Sequence, residues 1–174
     1  PMGFGIAASI GGSVASGNQE TICIDGDGGF IMNIQELEVV KRLNLPIKFF
    51  VLNNDGYVSI RNTQNTHFNG NLVASGVDSG LTLPSIESQA HAYKIPYVRI
   101  EKPKHLRSRL EAILAISGPV ICEIILPPTH TTLPKASVYK KEDGSFAARP
   151  MEDLAPFLDR DEFRDNMIVE IIDD

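Results

Sequence analysis

An α/β fold with a doubly wound, mostly parallel sheet and helices on both faces is predicted from three features of the 174-residue sequence. Strand-like and helix-like stretches alternate along residues 4–126, the pattern of consecutive parallel units. The run Ile47–Leu52 is apolar apart from Lys48, as in a strand covered on both faces. Two strand ends deliver polar loops, Gly26-Asp27-Gly28-Gly29 and Asn53-Asn54-Asp55-Gly56. In an open α/β sheet, ligands bind beyond the carboxyl ends of the strands.

The elements follow in order. Residues 4–16 are small and apolar, with Ile6, Ile10 and Val14 every four residues, which predicts a tightly packed helix ended by Gly17-Asn18. Thr21–Ile24 is a short strand running into the glycine loop. A helix is expected from Asn33, with Asn33 and Glu36 in capping-box positions and Ile34, Leu37, Val40 and Leu43 on its apolar face. Asn44-Leu45-Pro46 stops it. Residues 56–83 are polar; Tyr57–Arg61 can begin a short helix, and the rest reads as a long loop, a class of segment that often carries function. Ser85–Tyr93 reads as a helix, Tyr97–Ile100 as a strand, Lys104–Ile116 as an amphipathic helix broken by Gly118-Pro119, and Val120–Leu126 as a strand. Residues 127–156 hold five prolines and read as an extended, Pro-rich tail. Residues 154–174 have enough apolar side chains for a short helix and a terminal strand or arm. The expected division is a ligand-binding domain over 1–126 and a C-terminal tail over 127–174 packed on the same domain.

Composition limits the function. Hydrophobic residues are 43% and charged residues 22%, ordinary for a globular domain. The net charge of −6 has no Lys/Arg cluster to offset it, which argues against a nucleic-acid partner. Anionic ligands remain open, because Mg²⁺ and helix N-termini bind phosphate without Lys or Arg. Cys23 and Cys122 sit in apolar runs and read as buried thiols. No apolar run approaches the ~18 residues of a membrane span. No membrane is expected as a partner, and a cytoplasmic location is. The chain opens inside a structured-looking segment, so a piece of a longer polypeptide or a separate subunit is expected.

Asp27 offers a hard carboxylate oxygen, Asn54 a neutral one, and the turn after it a carbonyl, that of Gly56. Mg²⁺ takes about six oxygens and draws the rest from phosphates and water. Gly26, Gly28 and Gly29 are expected to let the backbone approach phosphate and turn through positive φ. Gly-Asp-Gly alone is a common turn, and Asn-Asn alone a common turn pair. The combination, with 24 residues from 29 to 52 between them, is far more specific. A dinucleotide-binding domain is disfavoured, because G-x-G-x-x-G is absent.

That combination resembles the thiamine diphosphate motif. The text from Gly26 to Val40, Asn44 to Asn54, and Met2-Gly-Phe-Gly-Ile-Ala-Ala-Ser-Ile-Gly is similar to the acetolactate synthase branch, strongly over 2–62 and more loosely to 126. The resemblance implies the thiamine diphosphate-binding fold, with Asp27, Asn54 and the Gly56 carbonyl on Mg²⁺ and Gly28 and Gly29 on the diphosphate. It places Gly26, Tyr57 and Val58 at the cofactor too, and Met2 as the apolar wedge between its rings. It implies decarboxylation of a 2-oxo acid such as pyruvate, followed by carboligation. The alternatives are a simple 2-oxo acid decarboxylase, a carboligase with another acceptor, or an isolated or degenerate domain that only binds cofactor. Asp55-Gly-Tyr-Val-Ser departs from the family's usual continuation and leaves the substrate open; FAD, used by some relatives, is also left open. The glutamate that activates the cofactor belongs to a pyrimidine-binding domain that nothing here resembles. No catalytic residue is therefore expected in this chain, which would be inactive alone and would work with that domain in a homodimer or tetramer. Glu20, Glu36, Glu38 and Glu87 read as solvated. His91 and His105 read as surface residues, while His67 and His130 lie in loops that could border the site.

Overall fold

A computed structural model describes residues 1–129 and 133–169. The chain divides into two compact units, Pro1–His130 and Thr131–Asp174.

The first unit is built on four parallel strands: β1 (Thr21–Gly26), β2 (Ile47–Asn53), β3 (Tyr97–Ile100) and β4 (Val120–Ile125), in the spatial order β1-β2-β4-β3. Its helices are α1 (Phe4–Ala15), α2 (Asp27–Ile31), α3 (Leu37–Leu43), α4 (Val58–His67), α5 (Ile86–Ala92) and α6 (Leu106–Leu114). The expected parallel α/β architecture is therefore present. One sheet face carries a cluster in which Ile6, Phe30, Leu37, Val40 and Ile86 pack on Phe49, Val51 and Ile121. The other carries Ile113, with Leu110 and Leu114 of α6, on Phe50, Val120 and Cys122. Both thiols are free and buried. β1 is an edge strand, and its Ile22 and Ile24 remain exposed on the second face.

Several local expectations change. α1 buries Ile6, Ser9 and Ser13, while Val14 is exposed: Ser9 and Ser13 turn their hydroxyls back onto backbone carbonyls, which makes them fit to face the sheet. The second helix does not wait for Asn33. It begins at Asp27, breaks, passes through a 3₁₀ turn at Ile34–Glu36 and resumes as α3. Asn33 makes no cap bond; its amide donates to the Gly3 carbonyl at 2.6 Å and ties α1 to this break. Leu37 and Val40 are buried as expected, but Leu43 is exposed next to the left-handed stop at Asn44. The short helix expected from Tyr57 is present as α4, but it runs on to His67, into the expected loop, because its polar residues give no periodicity that would show its length. Gln64 holds it by exchanging hydrogen bonds with the backbone of Val73.

Lys48 is fully buried on β2. Its ammonium donates to the Ile116 and Gly118 carbonyls beyond the end of α6, where a cation is favoured, with Glu20 3.8 Å away.

The second unit is not simply extended. β5 (Val138–Lys140) and β6 (Phe146–Ala148) form an antiparallel hairpin, and α7 (Arg160–Asn166) is capped by Asp159. Asp153, 5% exposed, is gripped by Arg160 at 3.0 and 3.1 Å, and Arg149 and Arg160 lie over the Phe157 ring. Among the described residues of this unit no apolar side chain is buried, and ion pairs and cation–π contacts join its elements, which composition alone does not reveal. The short helix expected after Leu154 is present; the expected terminal strand or arm falls partly on residues 170–174, outside the described residues. Among the described residues, no helix is long and apolar enough to cross a membrane.

Candidate functional site

The β1–β2 register sets Gly26 opposite Leu52, so Asp27 and Asn54 emerge side by side from adjacent strand ends. Asp27 is 3% exposed and opens α2. Its Oδ2 accepts from the Gly56 amide at 2.9 Å, while its Oδ1 is buried with no partner among the described residues. Asn54 is 8% exposed, and its Oδ1 is likewise buried and unpartnered. A buried polar atom without a partner costs about 1–3 kcal/mol, so two side by side call for a ligand. Burial pushes the Asp27 carboxyl above its usual range, against the lowering effect of the Gly56 and Gly28 amides. A cation would reverse that push.

The turn that carries Asn54 is held on every side. Asp55 has φ 61°, and Gly56 has φ 128°, where glycine is favoured. The Asp55 amide donates to Asn53 Oδ1 at 3.0 Å. Arg61 donates to the Asp55, Ser75 and Pro128 carbonyls at 2.8, 3.0 and 2.9 Å. The Gly56 carbonyl accepts from the Val58 amide at 3.2 Å and retains a second lone pair.

The glycines act differently from expectation. None of Gly26, Gly28 and Gly29 has positive φ, because the chain enters α2 directly: Gly26 is extended (φ −80°) and the other two are helical. Their small size is required by contact. A Cβ on Gly28 would lie 2.3 Å from the Tyr57 ring, and one on Gly29 2.5 Å from Asp25 Oδ1. A Cβ on Gly26 would meet nothing within 4 Å, so that backbone is open.

All of the residues expected at the cofactor line one open cleft: Met2, Gly26, Asp27, Gly28, Gly29, Asn54, Gly56, Tyr57 and Val58. Met2 is half exposed there. Sequence reasoning missed three more lining residues, Asp25, Ser59 and Ile60. Asp25 Oδ1 accepts from the Gly26 amide at 2.8 Å; Oδ2 is buried with no partner among the described residues, and burial raises the pKa of this carboxyl. The available signal was an acid inside the same strand as the apolar run Thr21–Ile24. His67 closes α4 and is not one of the lining residues; His130 lies outside the described residues. His91 and His105 are exposed.

The donor set is one carboxylate oxygen, one carboxamide oxygen and one backbone carbonyl, all hard ligands suited to Mg²⁺. The orphaned oxygens of Asp27 and Asn54 fit a divalent cation, and the open backbone at Gly26 leaves room for an anionic group beside it.

The chain is similar to known proteins. The family model "Thiamine pyrophosphate enzyme, C-terminal TPP binding domain" matches residues 1–124. Acetolactate synthase 1, chloroplastic, of Zea mays is 34% identical over 137 residues, 76% of this chain and 22% of that protein. The acetolactate synthase large subunit of Cyanidium caldarium is 32% identical over 133 residues, again 76% and 22%. Acetolactate synthase 1, chloroplastic, of Oryza sativa subsp. japonica is 34% identical over 141 residues, covering 76% and 21%. The chain thus spans about a fifth of the length of these relatives.

Proposed function

This chain belongs to the thiamine pyrophosphate enzymes, as their C-terminal TPP-binding domain, and from that premise we propose that its cleft holds Mg²⁺ and the diphosphate of thiamine diphosphate. The pairing of two buried, unpartnered oxygens, Asp27 Oδ1 and Asn54 Oδ1, carries the reading. With the Gly56 carbonyl they would supply three ligands to Mg²⁺. Gly26, Gly28 and Gly29 would bound the diphosphate, and Tyr57 and Val58 the cofactor's other side. Met2, at the same cleft, would wedge between its rings. The bound cofactor supplies the electron sink for 2-oxo acid chemistry. This chain's residues bind and orient. Asp27 fixes the Gly56 amide and would neutralise the cation; Tyr57 packs on Gly28 and would set how closely the diphosphate approaches.

The whole protein would decarboxylate a 2-oxo acid such as pyruvate and ligate the product to a second carbonyl, in the manner of acetolactate synthase. The fragment alone would be inactive. A pyrimidine-binding domain of the same or another subunit would supply the activating glutamate within a homodimer or tetramer. A cytoplasmic location is part of this proposal, although two of the plant relatives are chloroplastic by name. Calorimetry of thiamine diphosphate binding to the full-length protein tests the reading. Binding is expected with Mg²⁺ and lost with EDTA; binding that ignores Mg²⁺ would overturn it.

A further inference from the structure

Glu123 is the only acid in β4, is 5% exposed, and lies outside the cleft described above. Both of its oxygens are engaged. The Asn53 Nδ2 group donates to Oε1 at 2.7 Å, and the Tyr97 hydroxyl donates to Oε2. Burial, and then the bond to Glu123, raise the Tyr97 pKa, so the phenol keeps the proton it donates. Tyr97, Glu123 and Asn53 come from β3, β4 and β2, which are neighbours in the sheet.

An asparagine amide has donors at one end and an acceptor at the other, and an ionised carboxylate only accepts. Glu123 therefore holds the Nδ2 end of Asn53. The Oδ1 end is left facing the turn, where it accepts from the Asp55 amide at 3.0 Å. Reversing the amide would set oxygen against carboxylate and NH₂ against N–H, losing both bonds. The Asp55 amide is the middle of the turn that carries Asn54 on one side and Gly56 on the other.

We infer that Glu123 is a positioning residue for the cation site: through Asn53 it sets the turn that aims Asn54 Oδ1 and the Gly56 carbonyl. The inference rests on the Mg²⁺–diphosphate reading of the cleft. It gives the first residue of the Asn-Asn pair a role different from that of the second. Outer-shell partners of this kind typically change metal affinity about 10–100-fold when lost.

The test is the Mg²⁺ concentration needed for thiamine diphosphate binding by the full-length protein, measured by calorimetry for wild type, Glu123→Leu, Glu123→Gln and Asn53→Ala. Glu123→Leu and Asn53→Ala should each raise that concentration about 10–100-fold. The double variant should add little to either, because both break one relay. Glu123→Gln should bind close to wild type, since its oxygen can receive Asn53 and its NH₂ can donate to the Tyr97 oxygen. If Glu123→Leu fails to fold, Glu123→Ala takes its place; normal Mg²⁺ dependence in the folded Glu123 variant or in Asn53→Ala overturns the inference. So does a full additive loss in the double variant. Absence of Mg²⁺-dependent binding in wild type would instead overturn the reading of the cleft.

Discussion

Strand β2 and the turn that follows it carry two buried polar side chains in opposite conditions. Near its start, Lys48 is 1% exposed, with two carbonyls receiving its ammonium and Glu20 nearby. Just past its end, Asn54 is 8% exposed, and its carboxamide oxygen has no partner among the described residues, as is true of Asp27 Oδ1 beside it. The first arrangement is complete within the chain and serves the fold: it joins β2 to the end of α6. The second is incomplete within the chain and points to something the chain must receive. Burial of a polar group does not separate structure from function; the bookkeeping of its hydrogen bonds does.

Substitutions at the two ends should therefore separate stability from binding. Asp27→Asn, whose amide oxygen can still accept from the Gly56 amide while its NH₂ faces the cation position, should weaken Mg²⁺-dependent thiamine diphosphate binding by more than about 100-fold, beyond the usual outer-shell range, with little loss of apo stability. Calorimetry and a thermal melt in EDTA read the two effects. Lys48→Ala should do the reverse. Leaving the Ile116 and Gly118 carbonyls unpaired should cost about 2–3 kcal/mol in denaturant unfolding, with the Mg²⁺ requirement of the folded fraction unchanged. A shared phenotype for the two variants would break the comparison.

Gly28→Ala lies between these cases. Its methyl would press on the Tyr57 ring, so about 1–3 kcal/mol of stability should be lost, together with some cofactor affinity as Tyr57 moves. Asn33→Ala should cost about 1 kcal/mol through its bond to Gly3 and leave the cation site alone.

The pH response is the smallest effect and has a definite sign. Burial raises the Asp25 and Asp27 carboxyls in the folded apo protein above their usual 3.8. The folded state then holds protons that the unfolded chain has released. Apo stability from these groups should fall as pH rises from that value through the raised one. Saturating Mg²⁺ should abolish the fall, because the cation favours the ionised form. Melts across acidic pH, with and without Mg²⁺ and thiamine diphosphate, check this.

The sheet was legible in the sequence because parallel strands are apolar throughout and end in distinctive polar loops. β3 matches its expected span, and β1, β2 and β4 match within two residues. The cleft was legible for the same reason: once Gly26 and Asn53 end adjacent parallel strands, Asp27 and Asn54 must meet. Less legible were features fixed by single tertiary contacts. The glycines suggested a loop, whereas their size accommodates Tyr57 and Asp25 against a helix already begun at Asp27. Helix α4 has no apolar stripe and depends on Arg61 and Gln64 reaching distant carbonyls. Glu123, like Lys48, announced itself only as one charge in an apolar strand, and its partners on β2 and β3 come from elsewhere in the chain.

The central claim is that Asp27 and Asn54 are unpartnered because a cation completes them. Anomalous diffraction from crystals of the full-length protein with Mn²⁺ and thiamine diphosphate tests it directly. The account predicts a Mn²⁺ peak about 2.0–2.4 Å from Asp27 Oδ1, Asn54 Oδ1 and the Gly56 carbonyl, distances usual for hard-cation oxygen ligation. A cofactor bound with its cation on other residues, or with both oxygens still unpartnered, would contradict it.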